Sequence, residues 1–382
     1  MSNPRTFRFG IIGCGLMGRE FASAAARWCH LTDAAARPEI VAICDKNESL
    51  FDWYRSNFPS IGQATAAHTE LLANRDVEAV YCAVPHALHE RIYSDVLTAG
   101  KHLLGEKPFG IDRSANEAIT RKIAGHPDLL VRCASEFPYF PAVQRLVAAV
   151  REGGLGDLIE VEAGYLHSSD LNPRKPINWK RQVEANGAYG CMGDLGMHVL
   201  HVPLRLGWEP KSVYAQLSNL VPERPDAEGK LVPCETWDNA TLHCRAEHEG
   251  RDFPMTLKTW RIGPGETDTW YLKVLGTRRS FSYTTKTPKT LWTMAYEPGG
   301  AQRWQREDLG YTPLFPSITG SIFEFGFTDA IQQMWAAYLD ELAGGDAAGF
   351  GCATPQEAAA SHRLFTAALQ SHRDNRVVAL NS

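Results

Sequence analysis

Residues Gly193 to His198 read GDLGMH. If this stretch opens a helix, as an aspartate near its start suggests, Asp194 and His198 stand four positions apart on one face. The carboxylate can then orient an imidazole that titrates near neutrality, a pairing suited to general acid and base chemistry. The same residues also read as a helix N-cap beside a hydrogen-bonded core histidine. His201 extends the face, so Asp194, His198 and His201 could be read as metal ligands as well. Nothing else in the chain supplies a metal-like cluster, and no metal is expected. A second stretch, Glu106-Lys107-Pro108, places a cation just after an apolar run ending at Leu104. Pro108 keeps Lys107 out of the helical region and fixes its direction. By itself this tripeptide is a common surface turn. The third stretch is Val84-Pro85-His86-Ala87-Leu88-His89, also at the end of an apolar run, with surface histidines on a helix as its ordinary alternative.

The elements that must position these groups start near the amino end. FRFGIIGCGLMG, residues 7–18, reads as strand, tight turn and helix. Gly13 allows the sharp turn, Gly15 lets backbone approach a pyrophosphate, and Gly18 lets helix pack on strand, with Leu16 and Met17 between the last two. Phosphates would meet free N–H groups at the positive end of the helix dipole. A second apolar run, residues 39–44, ends at Asp45, whose carboxylate suits the ribose hydroxyls of a dinucleotide. Asp45 also repels a 2′-phosphate, which favours NAD, while the neighbouring Lys46 leaves NADP open. The distance from Gly13 to Asp45 exceeds the usual fingerprint, and the excess, Cys29 to Pro38, is expected to be a surface insertion.

The periodicity that follows predicts a helix over 48–58, a strand over 78–84, a helix over 86–98, a strand over 101–104, a helix over 113–124 and a strand over 129–134. Strands alternating with helices indicate right-handed crossovers and a parallel sheet, whose carboxyl ends would carry Val84, Pro85, His89, Glu106 and Lys107. After a helix that stops at Gly153-Gly154, the chain changes character. Residues 158–166, 212–217, 240–246, 254–262, 269–275, 279–285 and 289–294 have strand character with few helices between them, which implies a largely antiparallel sheet. Residues 221–234 read as a loop insertion, and helices are expected over 322–342 and 355–371, the latter opened by Thr354 with Glu357.

A length of 382 residues suggests about two domains, placed at 1–135 and 136–382, with the C-terminal helix free to pack back on the first. The fold class is therefore α/β: a Rossmann-type, doubly wound parallel sheet, then an α+β domain with a large, mostly antiparallel open sheet. A net charge of −5 without a basic block speaks against nucleic acid and anionic membrane as partners. Nine scattered cysteines with no CxxC pair read as buried reduced thiols, and the absence of a leader or long apolar run implies a cytoplasmic protein.

Taken together, GIIGCGLMG, Asp45, VPHALH, EKP and GDLGMH resemble, in order and spacing, the glucose-fructose oxidoreductase, inositol dehydrogenase and rhizopine-catabolism (Gfo/Idh/MocA) family. PAVQRLVAAVREGGLGDLIEVE is similar to the segment linking that family's two domains. The resemblance implies an NAD(P)-dependent dehydrogenase acting on a secondary alcohol of a sugar, cyclitol or related polyol, assembled as a homodimer or homotetramer through the C-terminal sheet. It implies Lys107, Asp194 and His198 around the substrate carbinol, and Trp179-Lys180 as an aromatic and basic pair at the pocket edge, against an ordinary packed loop. His86, Gly105 and His201 depart from the family pattern. Two alternatives stay open: a glycoside-cleaving enzyme that uses transient oxidation by a retained NAD, and a non-catalytic NAD-binding protein.

Overall fold

The alternating apolar runs at the amino end become six strands in a computed structural model that describes residues 4–310, 312–320, 323 and 325–380. These are β1 (Arg5–Ile12), β2 (Ala36–Cys44), β3 (Gln63–Thr65), β4 (Ala79–Cys82), β5 (His102–Gly105) and β6 (Val131–Cys133). They form one parallel sheet in the order β3-β2-β1-β4-β5-β6. The order reverses between β1 and β4, and at such a switch point the carboxyl ends of the strands open a crevice. The expected helix over 48–58 is a 3₁₀ turn, Glu48–Leu50, followed by an α-helix, Phe51–Asn57, and His86–Leu88 likewise precedes the α-helix His89–Thr98.

Contacts divide the chain into two units, Met1–Tyr139 with Tyr311–Ala358, and Phe140–Gly310 with Ala359–Ser382. The sequence reading grouped residues 311–358 with everything after 135; side chains put them with the first sheet. Trp335, on the helix Phe327–Leu342, is fully buried with its ring 5.0 Å from that of Phe9. Gln332 donates to the carbonyls of Ala24 (3.2 Å) and Arg27 (2.7 Å), closing the last turn of the helix Leu16–Ala26. The helix Phe327–Leu342 was expected to begin at Ile322, which lies outside the described residues; it begins after Gly326, whose N–H donates to Asp329. Nor is Cys29 to Pro38 simply a surface insertion. Ala36 already belongs to β2, and Leu31 is buried and bridged to Ser317.

The second unit holds β7 (Leu158–Leu166), β8 (Glu209–Ser218), β9 (Glu223–Pro225), β10 (Leu231–Pro233), β11 (Asn239–His248), β12 (Arg251–Trp260), β13 (Thr269–Gly276), β14 (Arg279–Thr284), β15 (Thr290–Ala295), β16 (Gln305–Asp308) and β17 (Val378–Ala379). Nine of them make a sheet in the order β16-β15-β14-β13-β7-β12-β11-β8-β17, parallel only between β7 and β12. The remaining two, β9 and β10, pair as an antiparallel hairpin within 221–234, where the sequence reading has a loop. Strands of three residues flanked by prolines carry too short an alternation to be read.

The helix Cys191–Arg205 packs on β7 and β12. It starts at Gly190, whose φ is +56° and where a Cβ would come within 2.6 Å of the Trp237 nitrogen, so only glycine turns the chain there. The helix Pro355–Asp374 is opened as expected: Thr354 N–H donates to Glu357, and Glu357 N–H returns to Thr354 Oγ1.

Trp335→Ala is expected to destabilise the first unit by about 3–5 kcal/mol, the usual cost of emptying a buried indole site. A lower denaturant midpoint for that unit checks it; an unchanged midpoint would remove the helix Phe327–Leu342 from the core.

Candidate functional site

In the first unit, the turn after β1 leaves backbone exposed where a ligand's phosphates can reach it. Gly13 has φ +99°, and a Cβ there would run into the carbonyl of Ala83; a Cβ at Gly18 would strike the carbonyl of Gly13. Gly15 has nothing within 4 Å of its Cβ position. The helix Leu16–Ala26 has no side-chain N-cap, so its first N–H groups take no bond from a cap side chain, and Leu16 is 67% exposed. These features fit an anionic pyrophosphate. At the end of β2, Asp45 is anchored from both oxygens, accepting from Cys14 N–H (2.7 Å) and Asn47 N–H (2.8 Å), with Lys46 exposed beside it.

The turns after β4 and β5 are built against each other. His89 is fully buried: one ring nitrogen lies 3.1 Å from the Val84 carbonyl, and the other accepts from Gly110 N–H at 3.3 Å. His86 is buried too, so neither histidine lies on the surface. Glu106 is buried, with Tyr81 donating to its carboxylate (2.6 Å) and Tyr93 to its carbonyl (2.8 Å). The ring of Tyr93 fills the space a side chain at 105 would need, which accounts for Gly105. Lys107, half-buried, precedes Pro108 through a cis peptide bond.

In the second unit, Asp194 and His198 lie one turn apart on the helix Cys191–Arg205, 2% and 4% exposed. Lys180 Nζ stands 3.0 Å and 3.1 Å from the two oxygens of Asp194 and 5.7 Å from the Trp179 ring centre. Arg261 donates to Asp194 from one arm and to Asp170 Oδ2 (2.9 Å) from its Nε. Arg181 in turn bonds Asp170 and lies 2.8 Å from Asp238. Burial pushes the guanidinium groups of Arg261 and Arg181 down to about 10, still cationic at neutral pH. Trp270 donates to the His198 carbonyl (2.9 Å), and the Tyr165 ring meets the His198 ring edge to face at 5.5 Å.

The second unit thus brings Trp179, Lys180, Asp194 and His198 into one cluster, while the first carries Gly13, Gly15, Leu16, Met17, Gly18, Asp45, Lys46, Val84, Pro85, His89, Glu106 and Lys107. Among the described residues no three His, Cys, Asp or Glu side chains are grouped to hold a metal. Cations occupy Asp194 instead. Sequence reasoning missed Arg261, Asp170 and Arg181. One signal was present: Phe253, Met255, Leu257 and Thr259 mark the buried phase of β12, and Arg261 falls on that phase.

Two family models match the chain: an oxidoreductase family, NAD-binding Rossmann fold, over residues 7–128, and a GFO/IDH/MocA C-terminal domain over 143–282. Levoglucosan dehydrogenase from Pseudarthrobacter phenanthrenivorans is 28% identical over 221 residues, 58% of this chain and 56% of that protein. Glucose-6-phosphate 3-dehydrogenase from Bacillus subtilis is 23% identical over 285 residues, 74% of this chain and 75% of that protein. In the first of these, as in other curated relatives, the match spans little more than half of the relative's length. The solved structure of levoglucosan dehydrogenase in complex with NADH superposes with a TM-score of 0.87 at 21% identity, covering 99% of this chain and 100% of that one, and so shares the fold.

The electrostatics of the second cluster can be read at His167. Burial pushes its imidazole down to about 4, against the pull of Asp268 and with Arg261 and Lys180 adding to the fall. Between pH 6.5 and 4 the unfolded chain then binds a proton that the folded unit does not, so stability declines as pH drops across that window. His167→Gln is expected to flatten this slope by up to about one proton, measured by denaturant unfolding at a series of pH values. Equal slopes in the two proteins would show that His167 protonates in the folded state.

Proposed function

The chain belongs to the Gfo/Idh/MocA family of oxidoreductases, and from that premise we propose that it oxidises a secondary alcohol of a sugar, cyclitol or related polyol with NAD. The observation that carries the reading is the Asp194–His198 turn: an acid and an imidazole one turn apart, both withdrawn from water, with Lys180 and Arg261 compensating the acid. Such a pair moves a proton without a metal.

Gly13, Gly15, Leu16, Met17 and Gly18 hold the pyrophosphate. Asp45 receives the ribose hydroxyls, which favours NAD, and Lys46 leaves room for NADP. Val84, Pro85 and Lys107 line the nicotinamide side; His89 and Glu106, which the sequence places there too, are buried and brace the turns from behind. The bound nucleotide supplies the hydride acceptor. His198 accepts the hydroxyl proton on its imidazole as the carbinol becomes a carbonyl, and Lys107 supports the developing alkoxide charge. Asp194, paired with Lys180 and Arg261, orients the imidazole; Trp179 and Lys180 grip the neighbouring hydroxyls. Eight buried thiols and an exposed one, all free, suit a reducing cytoplasm. No helix of the described residues is long and apolar enough to cross a membrane. The exposed Trp292 on β15 supports a homodimer or homotetramer formed through the open sheet.

A panel of sugars and cyclitols, followed by NADH formation, tests the activity; sugar release without net NADH would favour transient oxidation instead. His198→Ala should lower turnover about 100- to 10,000-fold with NAD affinity retained, and wild-type rates would remove His198 from the mechanism. Asp45→Ala should weaken NAD binding about 10- to 100-fold by calorimetry; unchanged affinity would discard the ribose contact.

A further inference from the structure

Asp170 is 1% exposed and is a meeting point of charges in the second unit. Its Oδ2 accepts from Arg261 Nε and from Arg181, and its Oδ1 from Lys175 Nζ at 2.9 Å. Its backbone is held as firmly: its N–H donates to the Arg261 carbonyl (3.2 Å), and its own carbonyl accepts from Arg224 on β9. Asp170 and Arg261 are therefore locked to each other by side chain and main chain. A guanidinium is a rigid planar fork, so fixing Nε on Asp170 fixes the direction of the arm that reaches Asp194. The segment that Asp170 anchors also carries Lys180, whose ammonium spans both oxygens of Asp194.

We infer that Asp170 and Arg261 are positioning residues for the site in the second unit, together setting the orientation of the Asp194 carboxylate and the reach of Lys180. The inference rests on the dehydrogenase reading for its kinetic consequence and on the geometry alone for its structural one. A bare requirement for positive charge does not account for the arrangement. A lysine at 261 would compensate one carboxylate, but it lacks the second prong that ties Asp194 to Asp170.

Three variants test this: Arg261→Lys, which keeps the charge and removes the fork; Asp170→Asn, nearly isosteric; and the double variant. Each single change should lower kcat about 10- to 100-fold and raise KM for the polyol, because Lys180 loses its reach, while affinity for NAD stays within about threefold, because neither residue is assigned a nucleotide contact. The double variant should be no slower than the slower single one, since both break the same link. Losses that multiply, or an Arg261→Lys enzyme at wild-type rate, would overturn the inference. Should Arg261→Lys fail to fold, Asp170→Asn carries the test. A crystal structure of Asp170→Asn reads the positioning without turnover: Arg261 is expected to leave Asp194, and an unmoved Arg261–Asp194 contact would sink the idea. If the wild-type protein forms no NADH from any alcohol, the dehydrogenase reading fails by itself, and the crystal structure still decides the positioning.

Discussion

A carboxylate taken out of water must bring its countercharge with it, and most of the second unit's irregular structure follows from that requirement at Asp194. Desolvating an ion costs several kcal/mol even after relaxation. Lys180 and Arg261 offset the cost at Asp194, but Arg261 is itself buried and needs Asp170. Asp170 draws in Arg181, which draws in Asp238, whose other oxygen accepts from Leu220 and Val221 N–H groups. Compensation passes from a helix to the end of β12, then to the 168–182 segment and the base of the β9–β10 hairpin. The hairpin is held in turn by Arg224, which bonds the carbonyls of Asp170 and Asn172. Breaking one member of such a chain leaves a buried charge unpaired, at about 3–5 kcal/mol, so these segments have one arrangement each.

The first unit solves a different problem with a different material. On the proposed reading a diphosphate carries its charge in and out, so backbone N–H groups and a helix dipole suit it better than permanent cations. Cβ atoms at Gly13 and Gly18 would strike the carbonyls of Ala83 and Gly13, and Asp45 is tied to the same turn through Cys14 N–H. Packed beside this acid are two thiols, and burial is the first cause pushing Cys14 up to about 12 and Cys44 to about 11. They stay neutral and pack as small apolar groups, adding no charge to the site.

What could be read from the sequence is what local chemistry decides. The limits of β7, the Thr354–Glu357 cap, the glycine turn and the spacing of Asp194 and His198 depend on residues within a few positions of one another. What could not be read is set by partners distant in the chain. Asp170 and Arg261 are 91 residues apart, and Arg261 and Asp194 are 67 apart, so nothing in either neighbourhood announces the pair. The return of residues 311–358 to the first sheet has the same origin, since Trp335 and Gln332 find their partners some 300 positions earlier. Arg261 was the exception that periodicity could have flagged, as a charge on the buried phase of an alternating strand.

Every residue from Cys191 to Pro203 is buried. A helix enclosed all round is a core element, and its side chains have little freedom to shift. Gly196 is pressed against the Phe365 ring, and the His198 carbonyl is pinned by Trp270, so the backbone under the acid and the imidazole is fixed by packing rather than by the groups they act on. Side chains placed on such a scaffold keep their geometry. It also means that substitutions on that helix disturb the core. The exposed side chains of the 168–182 segment, apart from the buried Asp170 and Arg181, are where a substitution disturbs that packing least.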